Sequence, residues 1–131
     1  MANAGLVEAL ERVKNSFNSY PLGSLAQTGA IAAMEDKAWF ETNRNRVIAS
    51  RSQLEEQLKS LGFNVLPSMA NFLFVQHPGY DAEQLAKELR QRKIIVRYFK
   101  LPRINQHLRI SVGTEEQCQI LVDACREILN S

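Results

Sequence analysis

The first half of the chain carries apolar residues at the spacing of an α-helix. A short amphipathic helix is predicted near the start by Leu6, Val7, Leu10 and Val13. The polar stretch from Lys14 to Ser19 ends this pattern. Tyr20 is expected to be extended, because Pro21 disfavours helical geometry in the residue before it. The chain is therefore expected to begin with one helix and a loop.

A second and longer helical region is predicted after Gly23. Ser24 and Gln27 have the spacing of a capping box, and Gly62 is placed to end the region. The apolar stripe is assigned to Val47, Leu54, Leu58 and Leu61. The polar side is assigned to Arg44, Arg46, Arg51, Glu55, Glu56 and Lys59. A break near residues 35–37 is expected to divide this region into two helices.

The periodicity changes after Gly62. Four short strands are predicted where apolar and β-branched residues cluster, at residues 63–66, 71–76, 94–96 and 108–112. Capping spacings at Asp81 with Gln84, and at Thr114 with Gln117, predict a helix after the second strand and another after the fourth. The core face of the last helix is assigned to Ile120, Leu121, Ala124 and Ile128.

This order of elements predicts an α/β fold of the two-layer α+β kind. We expect a small mixed sheet of about four strands, with helices packed on one face and a long helical region before it. The length of 131 residues suits one hydrophobic core, so residues 1–131 are expected to form a single domain. A ferredoxin-like regulatory domain would look similar in its last half, but it does not usually need the helices at the start.

Composition and charge exclude several classes of function. Hydrophobic residues make up 45% and charged residues 23%, as in ordinary globular proteins. The 16 basic and 14 acidic residues are interspersed, so neither nucleic acid nor a membrane is an expected partner. The sequence contains no apolar run of transmembrane length and no secretory signal pattern, and a cytoplasmic location is expected.

The two cysteines are expected to be buried thiols. Cys118 and Cys125 are seven residues apart in the last predicted helix, which separates them by roughly 10 Å along its axis. That distance is too long for a disulfide. Because His77 and His107 lie far away in sequence, no metal site is predicted.

Arg109 is the sharpest candidate for a binding role. It lies inside the apolar strand Leu108–Val112, where a guanidinium needs a partner, and its planar donors suit a substrate carboxylate. Arg97 follows the third predicted strand and could place a second cation beside Arg109, which would select an anionic ligand. From the strands alone, solvated arginines at a sheet edge are the commoner interpretation of both residues.

Two further polar residues are candidates. Asn71 opens the most apolar strand, where its carboxamide could bind a ligand or satisfy the backbone of a turn. Tyr20 could line a pocket or be a half-buried loop tyrosine. The lysines stand among polar neighbours or at element ends, so none is suited to Schiff-base chemistry.

Three segments carry a resemblance to a known family. They are Asn18–Gln27 (NSYPLGSLAQ), Pro67–Val75 (PSMANFLFV) and Leu108–Thr114 (LRISVGT). In this order and separation, they resemble the C-terminal portion of histidinol-phosphate aminotransferases, which are fold-type I enzymes dependent on pyridoxal phosphate. The similarity spans nearly the whole chain and implies an aminotransferase small domain.

The resemblance implies roles for the four candidate residues. Arg109 matches the family arginine that binds the substrate α-carboxylate, and Arg97 matches an arginine implicated in recognising the phosphate end of histidinol phosphate. Tyr20 and Asn71 match positions on the substrate side of the cleft. The intact enzyme is expected to act in histidine biosynthesis on an amino acid or a phosphorylated amino alcohol.

The resemblance also implies what is missing. In the family, the large domain that precedes this region carries the Schiff-base lysine, the aspartate that pairs with the pyridinium nitrogen, and most of the phosphate-binding residues. We therefore expect this chain to be a truncated product or an expressed fragment, with no catalytic residue and no stably bound cofactor of its own. The intact enzyme is expected to be a homodimer, and the separate chain to self-associate through exposed apolar surface.

Two alternatives stay open. One is a free-standing, non-catalytic binding or regulatory module, which the missing catalytic groups favour. The other is the small domain of a different class I or II aminotransferase.

Overall fold

A computed structural model describes residues 3–17 and 22–130. The helices in these ranges are α1 (Ala4–Phe17), α2 (Ser24–Glu35), α3 (Lys37–Ser60), α4 (Ala82–Gln91) and α5 (Glu115–Leu129). The strands are β1 (Asn64–Val65), β2 (Phe72–Gln76), β3 (Arg97–Tyr98) and β4 (Leu108–Ser111). Tyr20 lies outside the described residues. The chain divides into two compact units, Met1–Phe40 and Glu41–Ser131, and the expectation of a single domain stays a prediction.

The first unit contains α1 and α2. The predicted break near residues 35–37 is confirmed: α2 ends at Glu35, and Asp36 accepts a hydrogen bond from the Trp39 amide at 3.0 Å at the start of α3. The capping box predicted at Ser24 is wrong. The N-cap is Gly23, whose carbonyl accepts from the Gln27 amide, while the Gln27 side chain donates to the Leu22 carbonyl.

Apolar side chains of the first unit are exposed, as expected. The exposed set in α1 and α2 includes Leu6, Leu10, Val13, Leu25, Ile31 and Met34. All described side chains of residues 3–16 and 22–40 are exposed. Within the described ranges, every helix is too short or too polar to cross a membrane.

The second unit is built on a four-stranded sheet of order β1-β2-β4-β3. The expected number of strands is confirmed, but the sheet is antiparallel rather than mixed, since all three strand pairs are antiparallel. A mixed sheet would need β2 and β3, which are connected through α4, to pair as parallel neighbours. Strands β2 and β3 run in the same direction, but β4 lies between them and keeps them from pairing.

The hydrophobic core lies between one face of this sheet and the helices, which confirms the two-layer fold. In β2 the buried residues Leu73 and Val75 alternate with half-buried ones, and in β4 Leu108 and Ile110 are the buried pair. The helices contribute Leu54, Leu58, Leu85, Leu89, Leu121, Val122, Cys125 and Ile128 to the same core. The other face of β2 and β4 therefore carries the side chains at positions 72, 74, 109 and 111.

The third strand lies later in the chain than predicted. Residues 94–96 are unpaired, and β3 consists of Arg97 and Tyr98. Lys93 has a φ of 63°, and the Ile94 amide bonds back to the Leu89 carbonyl at 2.9 Å. This turn holds the start of the β-branched run on α4, so pairing with β4 begins only at Arg97.

Two helix faces differ from their sequence assignments. Arg51 was assigned to the polar side of α3 but is buried, and its Nη1 donates to the Ala70 carbonyl at 3.0 Å. In α5, Ile120 is exposed rather than in the core. The burial of Cys118 and Cys125 is confirmed.

The helix caps of the second unit agree with the sequence. The Asp81 side chain accepts from the Gln84 amide, and Thr114 forms a reciprocal capping box with Gln117. Gly62 has a φ of 89°, the left-handed geometry that glycine provides after the end of α3. These residues set where α4 and α5 begin and where α3 ends.

Candidate functional site

The sheet brings Arg97 and Arg109 side by side. They are directly opposed residues of the antiparallel pair β3–β4, so their side chains leave the same face of the sheet. Arg109 is also opposed to Phe74 of β2, which extends the row to a third strand. We call the surface formed by Phe72, Phe74, Arg97 and Arg109 the arginine face. Like charges placed opposite each other are destabilising, so this pair favours binding of an anion.

Arg109 is half-buried on the arginine face. Its guanidinium carbon lies 5.4 Å from the centroid of the Phe72 ring. Its Nε is buried and has no hydrogen-bond partner among residues 3–17 and 22–130. A buried donor without a partner costs about 1–3 kcal/mol. The Nη groups of the same guanidinium are the donors that suit a carboxylate or phosphate oxygen.

Arg97 is exposed and rests on an aromatic group. Its guanidinium carbon is 5.2 Å from the centroid of Phe99, and that ring meets Phe74 edge to face at 6.1 Å. Phe74 in turn stacks on His107, with ring centroids 4.7 Å apart and planes 10° apart. These three rings form an aromatic cluster beside Arg97. The sequence analysis missed this cluster, although the alternation of Phe72 and Phe74 with buried residues could have indicated it.

A cleft of about 630 Å³ opens between α4 and the chain from Ile95 to Tyr98. Arg97 and Arg109 line it from the sheet, and Lys87 and Arg90 line it from α4. If the β3–β4 register continued, Ile95 would lie opposite Ser111, but this stretch is unpaired. The displaced third strand is therefore what leaves room for the cleft.

The charges in the cleft are mostly positive. Glu83 is the acidic residue of its lining, and it forms an ion pair with Lys87 at 3.0 Å. Desolvation raises the pKa of Tyr98, and the nearby Glu83 and Asp81 add to the rise. The Tyr98 phenol is accordingly a neutral hydrogen-bonding group at pH 7. The arrangement can bind an anion, and it offers no nucleophile paired with a base within the described lining.

Asn71 does not line this cleft. Asn71 is exposed just before β2, and its backbone carbonyl accepts from the Val112 amide at 2.9 Å. Arg51 donates a hydrogen bond to the neighbouring carbonyl of Ala70. The segment that leads into β2 is therefore hydrogen-bonded to α3 as well as to the residue that follows β4. A ligand role for the Asn71 side chain stays a prediction, and Tyr20 is outside the described residues.

Arg51 could have been found in the sequence. It falls at helical spacing with Val47, Leu54 and Leu58, which makes it an arginine within the apolar stripe of α3. Within the described residues, no group of three or more His, Cys, Asp or Glu side chains is arranged to hold a metal ion.

Comparison with known proteins gives concordant matches. The chain is 59% identical over 128 residues to histidinol-phosphate aminotransferase 2 of Dechloromonas aromatica, which covers 98% of this chain and 36% of that protein. It is 58% identical over 129 residues to the histidinol-phosphate aminotransferase of Aromatoleum aromaticum, with coverages of 98% and 36%. The chain thus spans about a third of the length of these curated relatives.

A solved structure shows the same fold. The histidinol-phosphate aminotransferase of Sinorhizobium meliloti, in complex with pyridoxal-5'-phosphate, superposes with a TM-score of 0.77 at 22% identity, covering 91% of this chain and 34% of that one. Residues 1–125 match the family described as aminotransferase class I and II. On this match, the chain belongs to the class I and II aminotransferases, a family that depends on pyridoxal phosphate.

Proposed function

We propose that this chain is the substrate-binding C-terminal part of a histidinol-phosphate aminotransferase of histidine biosynthesis. In this proposal Arg97 and Arg109 both contact the phosphate, which is the one anionic group of histidinol phosphate, and Arg109 binds the α-carboxylate when an amino acid occupies the site. The names of the relatives and the identities of 58% and 59% support the choice of substrate. The family assignment alone would leave other amino donors open.

The observation that carries the proposal is the arginine pair on the sheet. Two guanidinium groups occupy opposed positions, and one of them has a buried Nε without a partner in the described part of the chain. A buried arginine with a purely structural role would be expected to bond a carbonyl or carboxylate, as Arg51 of α3 does with Ala70. Arg109 therefore has the environment of a ligand-binding cation.

The described lysines do not fit a pyridoxal phosphate site. All six are exposed, at positions 14, 37, 59, 87, 93 and 100. Lys59 and Lys87 already pair with Glu55 and Glu83. Schiff-base chemistry needs an amine whose pKa is depressed by burial or by a neighbouring cation. We propose that another part of the protein supplies the cofactor-binding groups and covers the exposed apolar side chains of α1 and α2.

A chimera tests the proposed substrate. This chain would replace the matching segment of the Dechloromonas aromatica enzyme, and transamination of histidinol phosphate and of unphosphorylated histidinol would be compared. We expect activity on histidinol phosphate. Arg97→Gln should raise the KM for histidinol phosphate by about tenfold, the effect of one lost charge-assisted contact, and change the KM for histidinol much less.

The control is Arg126→Gln, which removes the same charge from an exposed position on α5. A chimera that binds the cofactor and transaminates other amino acids but not histidinol phosphate would contradict the proposed substrate. Equal effects of Arg97→Gln on both substrates would contradict the phosphate-binding role of Arg97.

A further inference from the structure

Arg90 is an unpaired cation in the wall of the cleft. It lies in the last turn of α4, is exposed, and lines the same cleft as Arg97 and Arg109. No ion pair or side-chain hydrogen bond joins Arg90 to any other residue of the described chain, whereas the neighbouring Lys87 is paired with Glu83. The cleft therefore presents three arginines without a carboxylate partner in the described ranges.

The number of unpaired cations indicates the charge of the ligand. A carboxylate carries one negative charge and would be matched by Arg109 alone. A phosphate monoester carries about −1.5 to −2 at pH 7 and has three acceptor oxygens, so it can engage several guanidinium groups at once. Three arginines converging on one cleft of about 630 Å³ suit the second kind of ligand.

We propose that Arg90 is a third anion-binding residue of this cleft and that the site extends from the arginine face onto helix α4, where it binds a dianionic phosphate group. The inference rests on the proposed function for the identity of the ligand. The participation of Arg90 follows from the cleft and its unpaired charges. A position in the last turn of a helix also favours a cation through the helix dipole, so the test must separate binding from helix stability.

The test uses the complete 131-residue chain and inorganic phosphate as the probe, titrated at low ionic strength by isothermal calorimetry or NMR shifts. Because Arg90 is exposed, we expect Arg90→Gln to raise the phosphate dissociation constant by roughly two- to fivefold. Arg109→Gln should raise it by about tenfold or more. Arg90→Lys keeps the charge and should retain most of the affinity.

Arg126→Gln is the control for charge and helix dipole, because Arg126 occupies the last turn of α5; unlike Arg90, it is ion-paired, with Asp123. We expect this variant to bind phosphate like the wild-type chain. Equal affinities of Arg90→Gln and Arg126→Gln would overturn the proposal, and so would a wild-type chain that shows no saturable phosphate binding. The proposed function is judged separately, by the substrate preference of the chimera.

Discussion

The buried Nε of Arg109 predicts a conflict between stability and binding. Methionine has a stem similar in length to that of arginine but no donors, so Arg109→Met removes a buried donor that has no partner in the described chain. It also removes a cation–π contact at 5.4 Å and the repulsion from Arg97. Arg97→Met removes the equivalent contact at 5.2 Å and the same repulsion, but no buried unpaired atom.

The difference between these two variants isolates the unpaired donor. Leaving such a group buried costs about 1–3 kcal/mol, so Arg109→Met should have a free energy of unfolding higher than that of Arg97→Met by about that amount. The assay is urea unfolding followed by circular dichroism, with m-values compared to verify that both variants unfold from equally compact states.

Phosphate adds a second measurement to the same assay. A ligand at 100 times its dissociation constant stabilises a protein by about 2.7 kcal/mol, and we expect this gain for the wild-type chain. At the same phosphate concentration Arg109→Met, whose dissociation constant should be about tenfold higher or more, should gain about 1.4 kcal/mol or less. If Arg109→Met were less stable than Arg97→Met, the guanidinium would be contributing to the fold, and the interpretation of Arg109 as a ligand-binding group would be refuted.

Three further predictions concern the caps, a cysteine and the cofactor. Thr114→Ala breaks the capping box of α5 and should lower the free energy of unfolding by about 1 kcal/mol in urea, whereas replacement of the exposed Ser52 by alanine should change it by less than about 0.5 kcal/mol. Desolvation raises the pKa of Cys125 from 9.0 to about 12, so the folded state holds this proton more tightly than the unfolded state does. The free energy of unfolding should therefore fall as pH rises from about 9 toward 12, with a slope of up to about 1.4 kcal/mol per pH unit. The Cys125→Ala variant should lack this slope. When the chain is mixed with pyridoxal phosphate and reduced with borohydride, mass spectrometry should show no stoichiometric adduct at one lysine, because the lysines are exposed; a unique adduct would contradict this.

The fold of the second unit was largely predictable because its signals are local. Capping pairs such as Thr114 with Gln117 fix where helices begin, and Gly62 fixes where α3 ends. The apolar run at residues 72–75 identified strand β2, but not which of its two faces is buried. These features depend on residues only a few positions apart, which a sequence presents directly.

The features that were missed depend on contacts distant in sequence. The pairing of Leu108–Ser111 between β2 and β3 makes the sheet antiparallel, and element order alone does not specify it. Ile94–Val96 has strand propensity, but the turn at Lys93 holds its start on α4. The burial of Arg51 depends on the Ala70 carbonyl, which lies 19 residues later.

In the candidate site, too, the features that local sequence shows were predicted and those that depend on distant contacts were missed. Arg109 was singled out because a charge inside an apolar strand is visible in the sequence, and the expectation that Arg97 would lie beside it is confirmed by the register of β3 and β4. The contribution of α4 was missed. Nothing in the sequence near Arg90 indicates that an unpaired stretch between α4 and β3 opens a cleft beneath it.

The most direct test of the central claim is the effect of Arg109→Lys in the chimera with the Dechloromonas aromatica enzyme. Lysine keeps the charge but loses the planar pair of donors, so kcat/KM for histidinol phosphate should fall by about tenfold or more, while Arg126→Lys leaves it unchanged. An Arg109→Lys chimera with the kcat/KM of its parent would contradict the claim that the arginine face binds the substrate.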